Sequence, residues 1–181
     1  KIIKTYECKH LYTEYEGHSM YEVQINENDT STIEYMINSS ISSKEMNNNE
    51  SAKCPKCNIN SKYSTKTFFM EIPKFLIVLL KRYRYNRNIE QIVKENKEIE
   101  SGTYDRKSHN FIIKVNDTHY RLMSTVLHKG PLPNQGHYIS MIKKNEYYYQ
   151  INDHKVEKID NIKTSPMHKS GDSYILMYEK C

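Results

Sequence analysis

Eight short runs rich in tyrosine, isoleucine and valine constrain the fold most: Tyr21–Ile25, Ser64–Met70, Phe75–Tyr83, Asn110–Val115, Tyr120–Leu127, Tyr138–Lys143, Tyr147–Ile151 and Ser173–Tyr178. Each has strand length, and alternation with β-branched and aromatic enrichment marks it as a strand. Only Ser31-Thr32-Ile33-Glu34 reads as a helix start, a capping-box pattern leading into a short stretch that ends near Ile37. Ser39–Ser51, rich in serine and asparagine, reads as a flexible connection. The charged segment Asn86–Ser108 stays open between a helix and a solvated strand pair. The expected class is α+β, mostly antiparallel β.

A chain of 181 residues is long enough for one domain, or for a lobe with a smaller appendage. With 16 tyrosines, no tryptophan and 37% hydrophobic residues, the core is expected to be modest and tyrosine-rich. Lysine and arginine exceed the acids by 27 to 22, and this scattered excess argues against nucleic acid as the main partner. No apolar stretch reaches the ~18 residues of a membrane span. The run Phe75–Leu80 is too short and leads into Lys81-Arg82. The charged opening Lys1-Ile2-Ile3-Lys4 does not read as a secretory signal.

Four cysteines do not make a disulfide framework in a chain of this size, and Cys54-Pro55-Lys56-Cys57 points to metal chemistry in a reducing compartment, cytoplasm or nucleus. That spacing lets two thiolates reach one tetrahedral zinc ion from a tight turn. Cys8 and His10 offer a second pair to close the site, with His18 as the alternative to His10. The competing reading is three ordinary thiols on a loop-rich lobe.

His128 and His137 bracket a turn-rich loop, Lys129–Gln135, followed by Gly136. A histidine in a strand is more often an ordinary side chain than a catalyst. Here Gly136 permits close backbone approach, and Asn152-Asp153 closes the next strand, where a carboxamide or carboxylate can orient the His137 ring. That is the base and orienting partner of a thiol-activating site. No cysteine of the chain is placed as the nucleophile: Cys181 follows the last strand, and Cys8, Cys54 and Cys57 are better used as ligands.

These residues resemble motifs of the ubiquitin-specific proteases. Ile72–Tyr83 is similar to that family's "LP-x-x-L-x-x-x-LKRF" strand. Tyr120–Gly130 with Gly136-His137-Tyr138 resembles its histidine box, Ile151–Val156 its "F-[DN]-D-x-x-V" stretch, and Ser173–Tyr178 its closing "AYILFY" strand. The spacing of Cys8 and Cys54/Cys57 is like that of its zinc-bearing fingers. The resemblance implies a papain-like cysteine protease fold, with residues 1–70 as fingers, 71–181 as palm, and the thumb lobe with its cysteine box missing.

It also implies catalytic roles for His137, Asn152 and Asp153, with Tyr138, Gly136 and His128 bordering the ubiquitin tail. Zinc would sit on Cys8, His10, Cys54 and Cys57. The implied activity is hydrolysis of the bond after ubiquitin's last glycine. The partners are ubiquitin or ubiquitinated proteins and a second polypeptide carrying the cysteine box, with neither nucleic acid nor membrane. Alone, the chain is expected to be inactive. The alternative is a non-catalytic ubiquitin-binding module, and a zinc-ribbon nucleic-acid binder would explain only Cys54 and Cys57. Departures from the pattern are the prolines Pro131 and Pro133, Tyr148 in place of tryptophan, and His10 in place of a cysteine. Lys81 and Arg82 are expected to end a core strand with their charges in water.

Overall fold

The computed structural model describes residues 1–25, 31–41, 43–45 and 51–181. The chain runs through β1 (Ile2–Thr5), β2 (Leu11–Thr13), β3 (Tyr21–Gln24), α1 (Ile33–Ser40), β4 (Ser43–Glu45), β5 (Ala52–Lys53) and β6 (Asn60–Ser61). It continues with β7 (Tyr63–Lys66), β8 (Phe75–Lys81), β9 (Tyr83–Asn86), β10 (Gln91–Lys94), β11 (Ile99–Glu100), β12 (Thr103–Asp105) and β13 (Asn110–Val115). The last elements are β14 (Thr118–Leu132), β15 (Gln135–Lys144), β16 (Tyr147–Asn152), β17 (Lys155–Lys158), β18 (Lys169–Ser170) and β19 (Ser173–Lys180). The result is an α+β fold dominated by antiparallel sheet. No helix among the described residues is long and apolar enough to cross a membrane.

Two compact units emerge, Lys1–His18 with Asn38–Glu71, and Ser19–Ile37 with Ile72–Cys181. The division is therefore not a single cut near residue 70, because Ser19–Ile37 lies with the larger unit. In the smaller unit, β2-β1-β7-β4 form one sheet, and β5 pairs with β6 beside it in sequence. Ile3 and Thr5, two residues apart on β1, are buried on the same face.

In the larger unit the sheet order is β17-β16-β15-β14-β19-β8-β3, with β13 on the first part of β14 and β12 on β13. The fifteen-residue β14 is the organising strand, because it pairs with β13, β19 and β15 in succession. Alternation does what the sequence pattern says: Leu76, Val78 and Leu80 of β8 are buried while their neighbours are less so. Each such side chain contributes about 1.5–3 kcal/mol of burial. The core is mainly aliphatic, not tyrosine-rich as expected; its buried tyrosines have satisfied hydroxyls: Tyr120 donates to Pro73 O at 2.7 Å, Tyr148 to His109 O at 2.7 Å, and Tyr178 to Ser101 O at 2.8 Å.

Several local expectations are corrected. The helix cap is Thr32, whose Oγ1 accepts from Tyr35 N at 3.3 Å, and the helix runs on to Ser40. Glu34 does not close a capping box. It accepts instead from Lys114 N at 2.8 Å, satisfying an edge amide of β13 beyond the end of β12. Of the supposed connection Ser39–Ser51, residues 39–40 are helical and 43–45 form β4, while 42 and 46–50 lie outside the described residues. Of the two readings left open for Asn86–Ser108, the strand one holds: the segment carries β10, β11 and β12 joined by turns, with no helix. The supposed loop 129–135 is mostly the arm of a hairpin, since β14 runs to Leu132 and β15 begins at Gln135.

Arg82 departs furthest from expectation. Its side chain is fully buried, and its guanidinium donates to Glu95 O (2.8 Å), Lys97 O (2.9 Å), Ser170 O (3.0 Å) and Ser173 O. Desolvation brings its pKa down to about 10, against the pull of Asp172 and Glu95, so it stays charged at neutral pH. The fork of five donors on one rigid plane is what lets a single cation serve four carbonyls.

Candidate active site and metal centre

Strands β15 and β16 pair antiparallel with Ser140 opposite Ile151, which sets Asn152 diagonal to His137 on the same face. The two side chains meet: His137 Nε2–H donates to Asn152 Oδ1 at 2.5 Å. That fixes the tautomer and leaves Nδ1 as a lone-pair acceptor, able to take a proton from a nucleophile. His137 sits at the open end of a face whose next two members, Ile139 and Met141, are buried core. The ring is thus anchored through its strand yet remains 46% exposed.

Asp153 follows in the two-residue turn between β16 and β17, with φ of 53°. Aspartate tolerates this left-handed conformation. Its carboxylate stands 4.0 Å from His137 Nε2, and at 73% exposure water screens most of that attraction. Asn152 is therefore the orienting partner by geometry, and Asp153 a weak electrostatic neighbour.

The other face carries an aromatic cluster. Tyr138 stacks on His128 with ring centroids 4.4 Å apart, and Tyr83 and Tyr174 flank them. His128 is only 1% exposed, so it offers no surface to a ligand; the expectation that it borders a bound tail is corrected, and it underlies Tyr138 instead. The Tyr83 hydroxyl is hydrogen-bonded to His128 Nδ1 and lies 3.2 Å from Gly130 O. His128 Nε2 has no partner and lies against Gly136. A Cβ at Gly136 would come within 2.4 Å of that nitrogen, so only glycine fits there. Burial, then Lys94, hold the His128 imidazole below its ordinary pKa, and it is neutral at pH 7. From sequence Tyr83 reads only as the end of the Phe75–Tyr83 strand; the structure places it at the start of β9, with its ring edge against His128.

In the smaller unit Cys8, His10, Cys54 and Cys57 converge, with one ligand atom from each inside 4.8 Å of all the others. His18 is elsewhere, paired with Glu16 at 3.1 Å. Between Cys8 and His10, Lys9 adopts the left-handed conformation with φ of 55°. The Cys54–Cys57 knuckle closes with Asn58 N donating to Cys54 O at 2.7 Å and Cys54 N to Ile59 O at 2.9 Å. Thr5 Oγ1 lies 3.1 Å from Cys8 Sγ and accepts from His10 N at 2.9 Å, bracing both ligands of the first pair.

Three thiols and an imidazole suit a tetrahedral ion, whose ligand atoms stand roughly 3.8 Å apart. The 3.3 Å between His10 Nδ1 and Cys54 Sγ fits such an edge. Burial opposes ionisation of Cys54, but hydrogen bonds from His10, the Lys56 and Cys57 amides and Cys8 prevail and bring its pKa to about 6. At Cys57 the Ile59 amide favours the thiolate, yet burial and the sulfurs of Cys8 and Cys54 push its pKa above the ordinary value. A divalent cation would supply the charge that lets all the thiols ionise together.

The remaining thiol, Cys181, is exposed, and its amide donates to His119 O. His137 lies opposite Lys129, ten residues further along β14, so roughly 30 Å of strand separates the two positions.

Comparison with known proteins follows the same lines. The chain is 26% identical over 134 residues to ubiquitin carboxyl-terminal hydrolase 4 of Arabidopsis thaliana, and 27% identical over 135 residues to ubiquitin carboxyl-terminal hydrolase 12 of Salmo salar. Each match covers 70% of this chain and 36% of the relative, so the chain spans about a third of their length. Among solved structures, the SAGA DUB module Ubp8/Sgf11/Sus1/Sgf73 bound to monoubiquitin has the same fold, with TM-score 0.75 and 22% identity over 99% of this chain and 39% of that one. The module bound to ubiquitin aldehyde gives 0.71 and 21%, over 99% and 40%. The family model described as ubiquitin carboxyl-terminal hydrolase (UCH) matches residues 9–178, and the chain belongs to that family.

Proposed function

We propose that this chain is the ubiquitin-gripping, histidine-bearing part of a deubiquitinating thiol hydrolase. The observation that carries the reading is the His137–Asn152 hydrogen bond in a chain of this family. In this mechanism His137 Nδ1 takes the proton of a cysteine thiol, and Asn152 holds the ring toward it. The thiolate attacks the carbonyl of ubiquitin's last glycine. His137 then returns the proton to the leaving amine, and water, activated by the same ring, releases ubiquitin from the acyl-enzyme.

The nucleophile comes from outside these 181 residues, on a thumb segment or a second polypeptide. Three of the four cysteines are gathered in the metal cluster, and Cys181 is at the wrong end of β14 from His137. The smaller unit, Lys1–His18 with Asn38–Glu71, acts as fingers with structural zinc on Cys8, His10, Cys54 and Cys57, and the larger unit, Ser19–Ile37 with Ile72–Cys181, as palm. Ubiquitin's tail passes Gly136 and Tyr138, and Asp153 adds weak charge support. The match to assemblies bound to ubiquitin supports ubiquitin as the partner. The compartment is the cytoplasm or nucleus.

The lack of a suitably placed thiol also favours a second reading, in which palm and fingers only hold ubiquitin. Turnover of a ubiquitin–fluorophore conjugate by the full-length protein decides between them. The enzyme reading expects turnover that falls at least about a hundredfold in His137→Ala. Ubiquitin binding without turnover leaves the binding module.

A further inference from the structure

Strand β19 stops pairing with β14 at Ser173 opposite Leu127, one residue short of His128. The outward backbone groups of His128 would be orphaned there, a costly state for buried amides. Two residues outside that strand pair take them over. Asp172 O accepts from His128 N at 2.9 Å, and Lys94 Nζ donates to His128 O at 2.7 Å. The same ammonium reaches Asp172 Oδ1 at 2.5 Å, and its side chain is only 7% exposed.

We propose that the Lys94–Asp172 ion pair is a positioning latch for the histidine strand, extending the β14 ladder past the end of β19. It fixes His128, and through His128 the strand that presents His137. The route is short and continuous. His128 is register partner to Tyr138, stacks on it, and fills the space left bare at Gly136, the residue before His137. On the far side Arg82 clasps the flanks of both latch residues, through Glu95 O and Lys97 O beside Lys94, and through Ser170 O and Ser173 O beside Asp172. The two segments therefore have little freedom except at the ion pair itself. Neither Lys94 nor Asp172 touches His137; they act on it through the strand.

The inference rests on the enzyme reading for its kinetic consequence but not for its structural one, and the test separates them. Lys94→Met, Asp172→Asn and Lys94→Arg are made in the full-length protein beside His137→Ala. Turnover of a ubiquitin–fluorophore conjugate is measured together with amide hydrogen exchange at Gly136–Tyr138. Lys94→Met and Asp172→Asn are each expected to lower kcat about tenfold with KM within twofold, and to speed exchange at His137 and Tyr138 about tenfold. Lys94→Arg, which keeps the cation, is expected to stay within threefold of wild type in both. A purely structural pair would lower the melting temperature without this kcat-only loss or its rescue. Unchanged kcat and unchanged exchange in both charge-removing variants overturn the latch, as does an effect confined to KM. Should wild type show no turnover, or His137→Ala retain it, the enzyme reading falls. The latch then stands or falls on the exchange result alone.

Discussion

Asn152 orients His137 with a neutral amide, which cannot balance an imidazolium as a carboxylate would, and Asp153 is too exposed to make up the difference. A thiol tolerates this, because it already supplies some thiolate near neutral pH. In the full-length protein Asn152→Ala is expected to fall between wild type and His137→Ala in kcat, with Asp153→Asn nearer wild type. Equal losses from Asn152→Ala and Asp153→Asn would contradict the geometry. Gly136 is a second residue with one solution: Gly136→Ala would place a methyl 2.6 Å from Lys129 O as well as against His128. Forcing it in costs about 1–3 kcal/mol, measurable by urea unfolding. Arg82→Met leaves four carbonyls without their donor, and at least about 3 kcal/mol of stability is expected to go with it. A loss under 1 kcal/mol would mean that water reaches those groups.

At the scale of elements, the metal knuckle and its partner loop are held by few contacts of their own. The β5–β6 hairpin is two residues a side, and the Cys8 loop is tied to it through Ser61, whose Oγ accepts from Tyr6 N and Glu7 N at 3.0 and 3.1 Å. Such a module relies on its ion. Replacing Cys57 by serine, or adding a strong chelator, is expected to open residues 1–18 and 51–71 to protease while β13–β19 stay protected, as limited proteolysis with mass spectrometry would read. The pH dependence has a definite sign. Cys54 ionises at about 6 in the folded cluster, below its ordinary value near 9, so its contribution to stability is complete above that ordinary value. It fades as pH falls toward 6 and is lost below it. Metal content of the purified protein is accordingly expected to drop between pH 8 and 5.5, and retention of a full equivalent at pH 5 would contradict this site.

For the whole molecule, the proposed division of labour makes a simple forecast. The 181-residue chain alone is expected to show no turnover of a ubiquitin–fluorophore conjugate above buffer, since none of its thiols serves His137. Adding a polypeptide that carries the cysteine box is expected to restore turnover, and His137→Ala to remove it again. Turnover by the chain alone would mean that one of its own thiols can act as nucleophile after all.

The sequence by itself determined the alternation that builds the sheet, the Cys-x-x-Cys knuckle, and the spacing that places His137 and Asn152 on neighbouring strands. These are local properties: period two assigns faces, tight turns fix neighbours, and a register follows from them. Only the tertiary structure decided the rest. Arg82 reads as a wet strand end because the carbonyls that desolvate it lie 13 to 91 residues away. His128 reads as a ligand contact because nothing near it in sequence shows Tyr83 beneath it or Tyr138 above. His10 joins the cluster rather than His18, and Lys9 before it adopts a backbone conformation that propensity alone does not assign to lysine. Charge burial and ring stacking depend on which distant backbone arrives alongside, and that is a property of the assembled sheet.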